Sequence, residues 1–166
     1  MVCHLLAQAV GAVGHHNTFQ AQTGHAAHMP EIRTDTQSGF FLRRPISVCD
    51  WTERKVTLIY KVLGRGTDAM TRMAPGTELD VLTGLGNGYD VSRSGERPLL
   101  VGGGVGIPPL YGLARRLTAE HRQVTAVLGY NRASDIFLAE ELHALGVTVR
   151  LLTADGSAGT CGLVTD

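Results

Sequence analysis

The sequence predicts a two-part α+β protein: a partial antiparallel β-barrel over residues 40–95, then half of a doubly wound α/β domain over residues 96–166. Three observations predict it. Short strand-like runs separated by turn residues fill the first part, strands alternating with helical stripes fill the second, and glycine gathers where the apolar runs end. The length of 166 residues suits one domain or two small ones. Residues 1–39 match neither pattern and are expected to be poorly ordered.

That opening segment holds five of the seven histidines, and residues 1–30 contain no Lys, Arg, Asp or Glu. A signal peptide would need a basic start, which is missing. His25 and His28 share a helix face by spacing, yet no nearby carboxylate or cysteine completes a metal shell. No metal site is predicted. From residue 40 the pattern becomes a hairpin, with strands at 45–49 and 55–63 around a polar turn at 50–54. Gly64, Gly66 and Thr67 break the second strand, residues 68–73 suit one helical turn, and Ala74, Pro75 and Gly76 turn the chain into a strand at 78–82.

After residue 95 the grammar changes to βαβ units. Residues 99–101 make a short apolar strand, and 109–119 a helix with Leu110, Leu113, Ala114 and Leu117 on one face. Residues 124–128 form the second strand. Ser134 is placed as the cap of a second helix lined by Leu138, Leu142 and Leu145 and ended by Gly146, before a third strand at 147–152. The third strand alternates, while the first two are almost continuously apolar or small, which predicts the order 3-2-1 with the third strand at the edge.

Composition excludes several classes. Fifteen Lys+Arg balance fifteen Asp+Glu, so no basic field favours nucleic acid. No apolar run reaches the roughly 18 residues of a membrane span. Cys3, Cys49 and Cys161 are too dispersed for a metal or redox motif, which predicts a reducing, cytoplasmic setting. Glycine is abundant at 21 residues, 14 of them from Gly84 onward, at positions where loops meet strands.

All three strands of the second part end in loops suited to a ligand, because open α/β sheets bind at their carboxyl ends. The first loop is Gly102, Gly103, Gly104, Val105 and Gly106; the second runs from Gly129 to Arg132; the third is Ala154, Asp155, Gly156 and Ser157. Bare backbone N–H groups and the start of the following helix suit a diphosphate. The dinucleotide fingerprint is incomplete, since Ile107 stands where its last glycine would fall, and tight strand-to-helix packing is the other reading of the loop. Arg132 reads equally as a solvated loop residue or as a contact to the coenzyme, which leaves NADH against NADPH open. Upstream, Leu42, Arg43, Arg44, Pro45, Ile46 and Ser47 bring two cations and a hydroxyl onto a strand, opposite Ile59, Tyr60 and Lys61. That set suits a flavin diphosphate, or simply a surface arginine and an interfacial tyrosine.

These motifs, with Gly64-Arg65-Gly66-Thr67, 85–89 (Leu-Gly-Asn-Gly-Tyr), 102–109 (Gly-Gly-Gly-Val-Gly-Ile-Pro-Pro) and 153–157 (Thr-Ala-Asp-Gly-Ser), resemble the ferredoxin reductase superfamily. Within it they resemble most the family of electron-transfer subunits of type B, NAD-dependent dihydroorotate dehydrogenase. Ile46, where the wider superfamily has tyrosine, favours that branch. The likeness covers about residues 41–166.

The resemblance implies a ferredoxin reductase-like fold and an oxidoreductase subunit of pyrimidine (UMP) biosynthesis. Electrons would pass between NAD(H), FAD and a catalytic, FMN-containing dihydroorotate dehydrogenase partner in a heterotetramer. Arg44, Pro45, Ile46, Ser47, Ile59, Tyr60, Lys61, Gly66 and Thr67 would hold FAD; Gly102, Gly103, Gly104, Val105, Gly106 and Asp155 would face NAD. No side chain need act as acid or base, because the coenzymes exchange hydride directly. The family's [2Fe-2S] cluster is also implied, but its cysteines have no counterpart in residues 1–166, and the first barrel strands have no recognisable counterpart in residues 1–39. A related ferredoxin or sulfide reductase-type NAD(P)H oxidoreductase subunit, or an inactive nucleotide-binding piece, are the other readings.

Overall fold

Strand-forming residues on both sides of the expected boundary at residue 40 pair into one antiparallel sheet of seven strands. A computed structural model describes residues 2–13, 16–21, 29–33, 44–52, 55–85 and 87–166. They fall into two units, Met1–Gly88 and Tyr89–Asp166, so the division comes earlier than residue 95.

In the first unit the strands are β1 (Val2–Val13), β2 (His16–Ala21), β3 (Met29–Arg33), β4 (Arg44–Pro45), β5 (Val48–Trp51), β6 (Val56–Lys61) and β7 (Glu78–Leu85). Their order across the sheet is β4-β3-β7-β1-β2-β6-β5. Residues 2–13, 16–21 and 29–33, expected to lie in a poorly ordered segment without counterparts of the first barrel strands, are strands of this sheet, and the rest of 1–39 lies outside the described residues. β1 lies between β7 and β2, so its backbone groups find partners on both sides without the apolar alternation that marks a half-buried strand. Such a strand is nearly silent in sequence.

β6 shows the opposite case. Val56, Leu58 and Tyr60 are buried while Thr57 and Ile59 are half-buried and Lys61 is exposed, the period of two that a sheet with one covered face requires. The buried set packs with Ile46, Met70, Leu79 and Val81, and Val48, Trp51 and Met73 close around it. Met70 comes from α1 (Arg65–Thr71), whose start is held by Thr67: its hydroxyl accepts the Leu63 and Gly64 N–H groups and donates to the Gly64 carbonyl.

The second unit is a parallel sheet in the order β11-β10-β9-β8, built from β8 (Leu99–Gly103), β9 (Thr125–Tyr130), β10 (Thr148–Thr153) and β11 (Thr160–Cys161). The predicted order of the first three strands holds. The third is not an edge, because β11 pairs beside it through Leu152 and Thr153. Two residues carry too little pattern to reveal a strand. Helices α2 (Pro108–Ala119) and α3 (Ala139–Ala144) connect the first three strands, and Leu110, Ala114, Leu117 and Leu142 from them are buried with Leu100, Ala126 and Leu128 from the sheet.

Ser134 does not cap α3. It sits inside a separate short 3-10 turn, Ala133–Asp135, and the residue before α3 is Leu138 in the left-handed region at φ 60°. Phe137, buried edge-on against Tyr130, takes the chain into the core at that point, and the Tyr130 hydroxyl donates to the Phe137 carbonyl at 2.6 Å. Burial pushes that phenol up to about 12.

The entry to this unit is pinned by one cation. Arg122, just beyond α2, donates from Nη1 to the carbonyls of Val91 and Ser94 at 2.9 and 2.7 Å and pairs with Glu120 at 2.8 Å. Hydrogen bonds from a charged donor contribute about 1.5–3 kcal/mol each, less where solvent reaches them. Arg122→Ala is expected to lower the unit's stability by about 2–3 kcal/mol, read from the urea midpoint. An unchanged midpoint would show the arginine to be idle.

Candidate coenzyme sites

Parallel pairing brings the ends of β8, β9 and β10 to one side of the sheet, with Gly103 opposite Gly129 and Thr153 opposite Tyr130. The three loops predicted to meet a ligand therefore do come together. The glycine loop begins in β8 and continues as a 3-10 turn over Gly104–Gly106. Gly104 adopts φ +50°, where a side chain is strained, and a β-carbon on Gly102 would lie 2.6 Å from Leu110 Cδ1.

Close packing of helix on strand is thus supplied by Gly102, which explains why position 107 need not be glycine. Ile107 is fully buried and fills the core instead. One expectation changes. Pro108 and Pro109 open α2 without N–H groups, and the Leu110 N–H is taken by the Ile107 carbonyl, so donors for an anion come from the loop backbone rather than from the first turn of α2. Gly103, Val105 and Gly106 are exposed there, as is Asp155.

The loops after β9 and β10 are joined by hydrogen bonds. The Ala154 N–H donates to the Tyr130 carbonyl at 3.0 Å, the Asp155 N–H to the Asn131 carbonyl at 3.2 Å, and the Ala133 N–H to Ser157 Oγ at 2.7 Å. Ser157 in turn donates its hydroxyl and N–H to Asp155 Oδ1 at 2.5 and 3.0 Å. Those two bonds hold the Asp155 carboxyl below its ordinary value of 3.8. A lowered carboxyl pKa means the lock is complete above that value and is lost as pH falls through the depressed one. Below the loop, the fully buried Thr153 hydroxyl donates to the Ala158 carbonyl and accepts its N–H. Sequence reading selected Asp155 and gave Ser157 no role; the Asp-x-Ser spacing, which favours a side-chain-closed turn, was the available signal.

In the first unit the structure sorts the residues predicted to meet a flavin into two groups. Ile46 and Tyr60 are buried in the core, with the Tyr60 phenol pushed up to about 12 by burial, so their side chains serve packing. Arg44 and Ile59 are half-buried, while Pro45, Ser47 and Lys61 are exposed. Leu42 and Arg43 lie outside the described residues. Arg44 meets Gly66: its guanidinium lies against the glycine where a β-carbon would overlap Nε and Cζ. A fixed cation is thereby laid flat on bare backbone beside Thr67, a cradle suited to a phosphate. Among the described residues no three His, Cys, Asp or Glu gather as a metal site, and His25 and His28 lie outside them.

An antiparallel sheet followed by a parallel βαβ sheet with a glycine loop is the architecture of the reductase class. Residues 100–152 match the oxidoreductase NAD-binding domain family. Among solved structures, an NADH-dependent reduced ferredoxin–NADP oxidoreductase superposes with a TM-score of 0.84 at 27% identity, over 98% of this chain and 60% of that one. The FAD/NAD-binding domain of a nitric oxide dioxygenase from Vibrio cholerae gives 0.80 at 16% identity, over 95% and 77%, a likeness of fold alone. The fold is that of ferredoxin reductase-like proteins. The sequence is 43% identical over 150 residues to the electron transfer subunit of dihydroorotate dehydrogenase B (NAD(+)) from Shouchella clausii (strain KSM-K16). That match takes 88% of this chain and 56% of the relative, so the chain spans about half the length of the curated relatives it matches.

Proposed function

We propose that the chain is the flavin- and nicotinamide-binding part of a dihydroorotate dehydrogenase electron-transfer subunit, serving pyrimidine biosynthesis. The observation that carries this reading is the presence of two backbone cradles, one in each unit: Arg44 laid on Gly66, and the 102–106 loop opposite Gly129. Arg44, Ser47, Lys61 and Thr67 would orient FAD, with Gly66 leaving room for the guanidinium and Ile59 flanking them. Pro45 shapes the strand, and Ile46 and Tyr60 contribute backbone while their side chains hold the core. Gly102, Gly103, Gly104, Val105 and Gly106 would receive the diphosphate of NAD(H), and Asp155 would border it. The two coenzymes would supply the electron-transfer chemistry themselves, so these residues would bind and orient without exchanging protons.

The partner in this reading is an FMN-containing subunit that oxidises dihydroorotate, the two forming a heterotetramer in the cytoplasm. The [2Fe-2S] cluster of the family finds no ligand group among the described residues, and no role here depends on it. No helix of the described residues is long and apolar enough to cross a membrane. The ferredoxin–NADP oxidoreductase likeness favours one second reading, a reductase subunit serving a different acceptor.

Purified chain reconstituted with FAD should retain the yellow flavin spectrum through gel filtration and lose it on anaerobic addition of NADH. Retention of neither FAD nor NADH would defeat the proposal. Co-purification with a flavoprotein that does not oxidise dihydroorotate would favour the second reading.

A further inference from the structure

We infer that Ser157 is a positioning residue for nicotinamide nucleotide binding, locking the loops after β9 and β10 into one rim. The inference rests on the proposed function and goes further, because it assigns nucleotide affinity to a side chain outside the glycine loop. Three hydrogen bonds cross between the two loops. Two join backbone to backbone and continue the β9–β10 ladder: Ala154 N–H to the Tyr130 carbonyl and Asp155 N–H to the Asn131 carbonyl. The third, from the Ala133 N–H to Ser157 Oγ at 2.7 Å, reaches past the end of the ladder and needs a side chain.

What that bond holds is the start of the 3-10 turn Ala133–Asp135, preceded by Arg132. Arg132 Nε lies 3.7 Å from Asp135 Oδ2, so the arginine is tied to the turn that Ser157 anchors. The Ser157 hydroxyl accepts from Ala133 with a lone pair while its own proton goes to Asp155 Oδ1 at 2.5 Å. The chain Ala133 N–H, Ser157 hydroxyl, Asp155 carboxylate therefore runs in one direction. It holds the cation at 132 and the carboxylate at 155 on the two loops that follow β9 and β10, at the same end of the sheet as the loop after β8.

Rigid placement of the rim before binding removes part of the ordering cost that a nucleotide would otherwise meet. Ser157→Ala deletes the acceptor and leaves the Asp155 carboxylate, the glycine loop and the Thr153–Ala158 pair in place. Ser157→Thr keeps the hydroxyl.

The test uses the full 166-residue chain. Calorimetric titration with NAD+ should show Ser157→Ala binding about tenfold more weakly than wild type, and Ser157→Thr within about threefold of it. Amide hydrogen exchange without nucleotide should show the Ala133 N–H exchanging at least tenfold faster in Ser157→Ala and near the wild-type rate in Ser157→Thr. The exchange readout checks that a loss of affinity accompanies a loosened rim. Wild-type affinity in Ser157→Ala, weakened affinity with unchanged Ala133 exchange, or a threonine variant as weak as alanine would each overturn the inference while leaving the proposed function standing. A wild-type chain that binds no NAD+ would overturn both.

Discussion

Gly66→Ala is expected to release FAD from a chain that remains as stable as wild type. The added methyl overlaps the Arg44 guanidinium, which ends a flexible side chain and can swing away, so the fold need not yield. Gly66 is the second residue of α1, where replacing glycine by alanine itself favours the folded chain by up to about 1 kcal/mol. On the proposed function the flavin would lose a charged hydrogen bond of about 1.5–3 kcal/mol, which corresponds to about a 10- to 150-fold weaker affinity. Fluorescence titration of FAD alongside thermal melting measures both quantities. Wild-type FAD affinity in a well-folded Gly66→Ala chain would remove Arg44 from the flavin site.

The second large effect falls on stability. Gly159 has φ +65°, and a β-carbon there would overlap the carbonyl oxygen of Leu151 in β10. Unlike the arginine tip at Gly66, a strand carbonyl cannot move without breaking the sheet. Alanine must carry the left-handed strain of about 1–2 kcal/mol and also push the 154–159 loop off β10. That displacement strains the Thr153–Ala158 pair and the β10–β11 pairing. Gly159→Ala is expected to destabilise the second unit by about 3 kcal/mol or more, or about 15 °C in Tm for a domain of this size. Circular dichroism melting is the check, and a shift under about 2 °C would show that the loop tolerates a different path.

The contrast between these glycines shows how far sequence reading reached. Gly66 and the 102–106 loop were legible because they belong to motifs that resemble a known family and end apolar runs. Gly159 carries no sequence signal, and Ser157 is legible only as a member of the third loop, since their importance lies in contacts with Leu151 and Ala133. The same limit misplaced Ser134 as a helix cap. Ser is a good cap in isolation, but burial of Phe137 draws the chain inward and starts α3 after Leu138.

The sequence by itself determined the change from antiparallel strands to βαβ units, the alternation of β6, the 3-2-1 order of the first three parallel strands and the glycine loop at their ends. Each follows from a period or turn residue that acts within a few positions of itself. Only the tertiary structure decided that β1, β2 and β3 complete the first sheet, that β11 covers β10, that Ile46 and Tyr60 belong to the core, and that Arg44 rests on Gly66. These depend on residues far apart in the chain, where hydrogen-bond pairing and packing override the weak local preference of a short or evenly apolar segment.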